Sequence, residues 1–360
     1  MFLDFIRKNY LNLITSKKID ADISSFQCCT TTMTYTKKPG MIKSGLFNFQ
    51  TDIILSAVLK VALLHSIGIY GIFTFNYLKN PMTTLWKITL HTLNIFFHIF
   101  KYVFLIGMYI ISTFGISGGA HRFWTHKCFK AKLPLRILLL ICFSSSVQVS
   151  LVLVNFIYYL HVCVRARIFF SHIGWIMMKE HPEFIEKSKQ IDLSDVLSDP
   201  VVVFGEKYCL PLQLLFGFVL PTIIPVYFWN DSWGRAIISQ VFIRYMISLH
   251  SMWTINSIAH AWGTRPYNKN IKPADNNIVN YLTLGEGYHN YHHVFPWDYR
   301  SAEIGNTKMN YTTFFIEMFA KLGLAYDLKY PSANLIKKTA LKISDRTHHI
   351  LSEVSGSKSD

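Results

Sequence analysis

Fifteen histidines stand in this chain, and two tight groups of them have the spacing of metal-ligand sets. The first is His121-Arg122-Phe123-Trp124-Thr125-His126, an HxxxxH pair entered through Gly118-Gly119-Ala120. The second is His289-Asn290-Tyr291-His292-His293, an HxxHH cluster entered through Gly285-Glu286-Gly287-Tyr288. Positions i, i+3 and i+4 share one face of a helix, so the three imidazoles of the second group can converge on a metal. Asn256 and His260 repeat the i, i+4 spacing upstream. Imidazole nitrogen suits iron, copper, zinc and nickel. Six histidines with no cysteine among them and few carboxylates nearby fit a polynuclear iron centre better than a single zinc. Iron adds redox access to O2, and hence to unactivated C–H bonds.

The elements that position these groups belong to an integral membrane protein. A length of 360 residues ordinarily suggests two soluble domains. Here 51% of residues are hydrophobic, only 16% are charged, and the mean hydropathy is +0.26. A soluble surface needs roughly a quarter of its residues charged. The same composition excludes a disordered or collagen-like chain. The net charge of +15 reads as membrane topology, because Lys and Arg are retained on the cytoplasmic side. The basic residues are scattered and no nucleic-acid motif appears, so no nucleic-acid partner is expected. Cys28, Cys29, Cys128, Cys142, Cys163 and Cys209 form no CxxC, and no secretory signal opens the chain. They read as reduced thiols.

Hydropathy places spanning helices at about 53–75, 88–114, 209–229 and 236–258, each long enough for a hydrocarbon core of about 30 Å. They pair as two hairpins, turning at Asn80-Pro81 and at Asn230-Asp231-Ser232-Trp233-Gly234. A further apolar stretch, 138–164, decides the topology. If it lies along or dips into the membrane, 30 of the 36 Lys and Arg share one face and three occupy the other. The positive-inside rule then gives four spans with both termini cytosolic, and all the histidine groups fall on the cytosolic side. Residues 1–50 read as a flexible cytosolic tail, 51–330 as the membrane domain, and 331–360 as a cytosolic C-terminal tail.

The stretches GISGGAHRFWTH, FFSHIGW, LPTIIPVYFW, NSIAHAWGTRPY and GEGYHNYHHVFPWDYR resemble, in order, the membrane acyl-CoA desaturases of stearoyl-CoA and insect type. The resemblance covers most of 40–136 and 168–330. It implies an all-α fold of four transmembrane helices in two hairpins under a cytosolic helical cap that carries a histidine-rich di-iron site. It makes His121, His126, His260, His289, His292 and His293 iron ligands and gives Asn256 an iron-bound water. Trp262 resembles a residue lining the acyl tunnel, and Lys179 a basic residue facing CoA. The implied activity is insertion of a cis double bond into fatty acyl-CoA at the endoplasmic reticulum membrane. It uses O2 and electrons from cytochrome b5 and its reductase.

One family element has no counterpart. The middle box, roughly HRxHH, belongs between Arg136 and Phe169, but the interval holds a single histidine, His161. His172 matches the family's SHIGW histidine, which is not a ligand. The alternative reading is therefore an inactive homologue that binds acyl-CoA or regulates an active partner, or a mis-spliced product. A membrane di-iron hydroxylase fits the histidines but not GEGYHNYHHVFPWDYR, and a transporter does not account for histidine clusters outside the spans.

Overall fold

Long apolar runs punctuated by Pro, Asn and Ser set the helices. In order they are α1 (Leu55–Thr74), α2 (Val103–Thr125), α3 (Leu133–Ser145), α4 (Ile168–His172), α5 (Pro200–Lys207), α6 (Cys209–Trp229), α7 (Arg244–Ala261), α8 (Asn277–Thr283), α9 (His289–Val294), α10 (Tyr311–Lys321) and α11 (Ala333–Ile343). The only named strands among the described residues, Lys130–Ala131 and Ala325–Tyr326, pair antiparallel. The computed structural model describes residues 52–74, 103–148, 168–179, 192–303 and 310–351. The expected N-terminal tail, the first part of the 88–114 span, His161 with the rest of 149–167, and residues 352–360 lie outside them.

Among the described residues, α1, α2 and α6 have 20, 23 and 21 residues and are long and apolar enough to cross a membrane. Leu59, Leu63 and Phe73 of α1 point outward, while Gly68 and Gly71 face Met246, Ile238 and Ile243. The segment expected to span at 236–258 is helical throughout, as Trp233–Ile237, the π-helical Ile238–Ile243, and α7. Its Gln240, Arg244, Ser248, His250 and Ser251 keep it out of the apolar set. The second expected span does not stop at 114. It continues to Thr125 by switching from α- to π-helical winding at Gly115.

The apolar run beginning at 138 is broken. With 13 residues α3 covers about 20 Å, too short to cross a bilayer. It ends at Ser144-Ser145-Ser146, whose hydroxyls bond back to Leu140, Cys142 and Phe143 carbonyls at 2.8, 2.7 and 2.6 Å. Val147 then takes a left-handed φ of 52°. Three side chains from other helices hold this exit. Arg244 donates to the Ser145 carbonyl (3.1 Å), Tyr245 to that of Val147 (3.2 Å), and Gln213 to that of Gln148. Arg244 is 1% exposed and also donates to Gln240 O, Ser112 Oγ and Gly217 O. A buried guanidinium persists only when its N–H groups are met in this way.

The expected C-terminal tail contains a packed helix. Ser332 caps α11, and Ile336 and Ala340, one turn apart, enter a core cluster with Tyr267, Tyr291 and Phe295 behind α9.

Gly115 marks where α2 and α3 touch: a Cβ there would lie 2.2 Å from the backbone of Cys142 and Phe143. Overpacking of this kind costs about 1–3 kcal/mol. G115A should lower the melting temperature of the detergent-purified protein, while G234A, which meets nothing within 4 Å, should not. Equal melting temperatures for the two variants would show that this contact is not tight.

Candidate metal centre

The HxxxxH spacing is explained by the helix that carries it. In an α-helix five residues advance about 500°, leaving i and i+5 roughly 140° apart. The π-helical segment Gly115–Thr125 instead closes i→i+5 bonds, and the His126 N–H donates to the His121 carbonyl at 3.0 Å. The two rings meet edge to face, with centroids 4.8 Å apart and planes 75° from parallel.

The α9 helix delivers the other box, but not to one point. Two positions four apart diverge by about 40° on an α-helix, whereas neighbours diverge by about 100°. His289 and His293 accordingly join His260 in one group, and His292 turns to join His121 and His126 in another. The expectation that all three HxxHH imidazoles meet at one ion is replaced by a division between two groups. In each group the candidate ligand atoms lie within 4.8 Å of one another. His121 Nε2 is 3.0 Å from His292 Nε2, and His289 Nε2 is 2.9 Å from His260 Nε2 and 3.1 Å from His293 Nε2. Each group of three imidazoles could hold one metal ion.

Electrostatics favour the ligating form. Burial, and then the imidazoles of His121, His126, His293 and His289, hold His292 well below the usual histidine range, so its ring is neutral. Glu286 lies against the same group. Its Oε2 is 3.1 Å from His121 Nδ1, and its Oε1 accepts from Arg122 Nη2 (2.7 Å) and Nε (3.1 Å). Burial raises the Glu286 carboxyl, but Arg122 and His121 outweigh it and bring it down to about 2. Neither Arg122 nor Glu286 is singled out by ligand spacing, although each sits inside a histidine motif as the charge beside it.

A third missed residue positions α9. The helix has no cap of its own. Asp275, from the loop after α7, accepts from Asn290 N–H (2.7 Å) and Tyr291 N–H (3.2 Å) in its first turn. Burial pushes the Asp275 carboxyl up, against those two N–H groups and with Asp345 and Glu303 nearby, to about 7.

The remaining expected site residues are Asn256, Trp262 and Lys179. Asn256 is exposed one turn before His260 on α7. Trp262 is 57% exposed just past the end of α7, and its carbonyl accepts from Asn276. Lys179 pairs with Asp52 at 3.1 Å, both exposed. An apolar cavity of about 350 Å³ lies beside α7, lined by His172, Met246, Ile247, His250, Ser251, Thr254 and Leu282.

Beside this cavity runs a string of imidazoles that spacing did not reveal. Val61 O accepts from His65 Nδ1 (2.7 Å), His65 Nε2 meets His250 Nε2 (2.8 Å), His250 Nδ1 meets His172 Nε2 (2.9 Å), and His172 Nδ1 meets Ser257 Oγ (2.9 Å). Because a carbonyl only accepts, the His65 proton sits on Nδ1, and neutral rings then satisfy the links between the imidazoles in one order alone, while the Ser257 hydroxyl has one proton to divide between His172 Nδ1 and the Trp253 carbonyl (2.8 Å).

No family model matches the chain. Among curated proteins, the "Acyl-CoA Delta-9 desaturase" of Acheta domesticus is 42% identical over 265 residues, 69% of this chain and 72% of that one. The "Acyl-CoA Delta(11) desaturase" of Trichoplusia ni is 44% identical over 259 residues, 69% and 74% of the two chains. The "Stearoyl-CoA desaturase" of Homo sapiens is 40% identical over 246 residues, 63% and 67%.

The raised Asp275 carboxyl gives stability a sign with pH. The folded state holds this proton more tightly than the unfolded chain, whose carboxyl titrates near 3.8. Its contribution is therefore full below that value and is lost as pH rises through about 7. D275N, which still accepts both N–H groups, should melt above the wild type at pH 8, with the gap closing toward pH 4. A gap that is constant across this range would show that Asp275 does not titrate there.

Proposed function

The chain belongs to the acyl-CoA desaturase family, and from that premise we propose that it converts a saturated fatty acyl-CoA to its cis-unsaturated product at a di-iron centre. The observation that carries this reading is the pair of three-histidine groups, in each of which the candidate ligand atoms lie within 4.8 Å of one another. His121, His126 and His292 would hold one iron, and His260, His289 and His293 the other. Bound iron supplies the redox access to O2 that an unactivated methylene requires. The overall change takes two hydrogens from adjacent carbons and, with O2, two protons and two electrons, yields two waters; cytochrome b5 and its reductase deliver the electrons.

The protein's own part is binding and alignment. Asn256, one turn from His260, holds a water beside that group. Trp262 and Lys179 contact the acyl and CoA portions of the substrate. Fixing one methylene against the site is a positioning effect. Four spans in two hairpins, comprising α1, α2, α6 and the helix through α7, carry the histidine groups as a cap on the cytosolic face of the endoplasmic reticulum membrane. The uneven distribution of Lys and Arg supports that orientation, with both termini cytosolic.

Membranes from cells expressing the full chain, given stearoyl-CoA, NADH and O2, should form a cis-monounsaturated product seen by gas chromatography–mass spectrometry. H292A and H293A should reduce product to background and lower the iron content of the purified protein. Unchanged iron content would remove the ligand assignment. Full iron loading without product would overturn the enzymatic reading in favour of a binding or regulatory homologue.

A further inference from the structure

We propose that Glu286 is a positioning residue that fixes the tautomer and ring plane of His121, so that Nε2 is the nitrogen presented to the metal. The inference rests on the metal reading above and adds a residue outside the ligand set. A carboxylate oxygen only accepts, so the 3.1 Å contact from His121 Nδ1 to Glu286 Oε2 places the ring proton on Nδ1. A neutral imidazole then has its lone pair on Nε2, the atom that stands 3.0 Å from His292 Nε2 inside the group. A carboxylate behind a ligating histidine orients the ring and raises its basicity.

Glu286 is itself held from three sides. Its Oε1 takes two hydrogen bonds from Arg122, leaving Oε2 for His121. The Arg122 guanidinium is kept from swinging by the Tyr299 carbonyl (2.7 Å), Thr313 Oγ1 (3.0 Å) and the Gly285 carbonyl (3.2 Å). The Glu286 backbone N–H donates to Thr283 Oγ1 at 3.1 Å. Arg122, Glu286 and His121 are 0%, 5% and 6% exposed, so solvent offers no competing partner. Because His121 and Arg122 are consecutive on the π-helical turn and Glu286 stands three residues before His289, a single carboxylate registers one histidine box against the other.

The test uses the full-length protein in detergent, titrated with Fe2+ or Co2+ under anaerobic chelator competition. E286D keeps the charge beside Arg122 but is one methylene shorter, so it reaches the guanidinium and not His121. One of two ions should bind about 10–100-fold more weakly, the usual effect of removing such a support, while the other is unchanged. The metal-free melting temperature should stay near that of the wild type. Two ions bound as tightly as in the wild type would overturn the inference, as would equal weakening of both together with a fall in melting temperature. A wild type that binds no ion would overturn the metal reading itself, a distinct failure. A readout independent of the variant's folding is the 15N spectrum of the metal-free wild type labelled at histidine, with His121 assigned by its loss in H121Q. An Nδ1–H tautomer is expected; an Nε2–H tautomer would overturn the proposal.

Discussion

The hydrogen bond from His126 N–H to the His121 carbonyl sets the register on which the group of His121, His126 and His292 depends. Wound as an α-helix, the same sequence would turn one of the two imidazoles away from the other. Wound as a π-helix, it brings them edge to face and turns Arg122 toward Glu286. Such winding is rare because its hydrogen-bond geometry is poor, and it survives where neighbours hold it. Here α3 packs directly on Gly115, and Thr125 Oγ1 bonds to the Ala120 carbonyl across the wide turn. The irregular turn is thus supported by the regular helix beside it.

Buried charge follows from that geometry. Arg122, Glu286 and Arg244 are all nearly inaccessible, and each is surrounded by partners that replace water. An ion pair in such a place stabilises little compared with an apolar pair of the same shape, but breaking it leaves a charge uncompensated. These networks therefore act as alignment devices. Arg244 joins Ser112 of α2, the end of α3 and Gly217 of α6, so three helices are registered by one guanidinium.

The amino-acid sequence makes the apolar helices legible because hydropathy over about 20 residues is a local property. Leu55–Thr74 and Cys209–Trp229 lie within two residues of the expected bounds. The six histidines are legible as chemistry for the same reason: their spacing is short. Their division between two groups is not, since it depends on whether His121 to His126 winds as α or π and on where His260 arrives from α7. Asp275 and Glu286 escape spacing logic because each acts on a partner outside its own segment. The helix Ala333–Ile343 left a signal, a Ser332 cap with Ile336 and Ala340 one turn apart. The surrounding Lys residues obscured it.

The imidazole string has a consequence for how its members can be replaced. His65, His172 and His250 come from three separate stretches of the chain, yet each nitrogen contact depends on the proton order of the next ring. Replacing one of them with an apolar residue removes a hydrogen-bond partner from its half-buried neighbour. Replacing all three together leaves no such neighbour within the string. The three positions are thus coupled through their protons, although far apart along the chain.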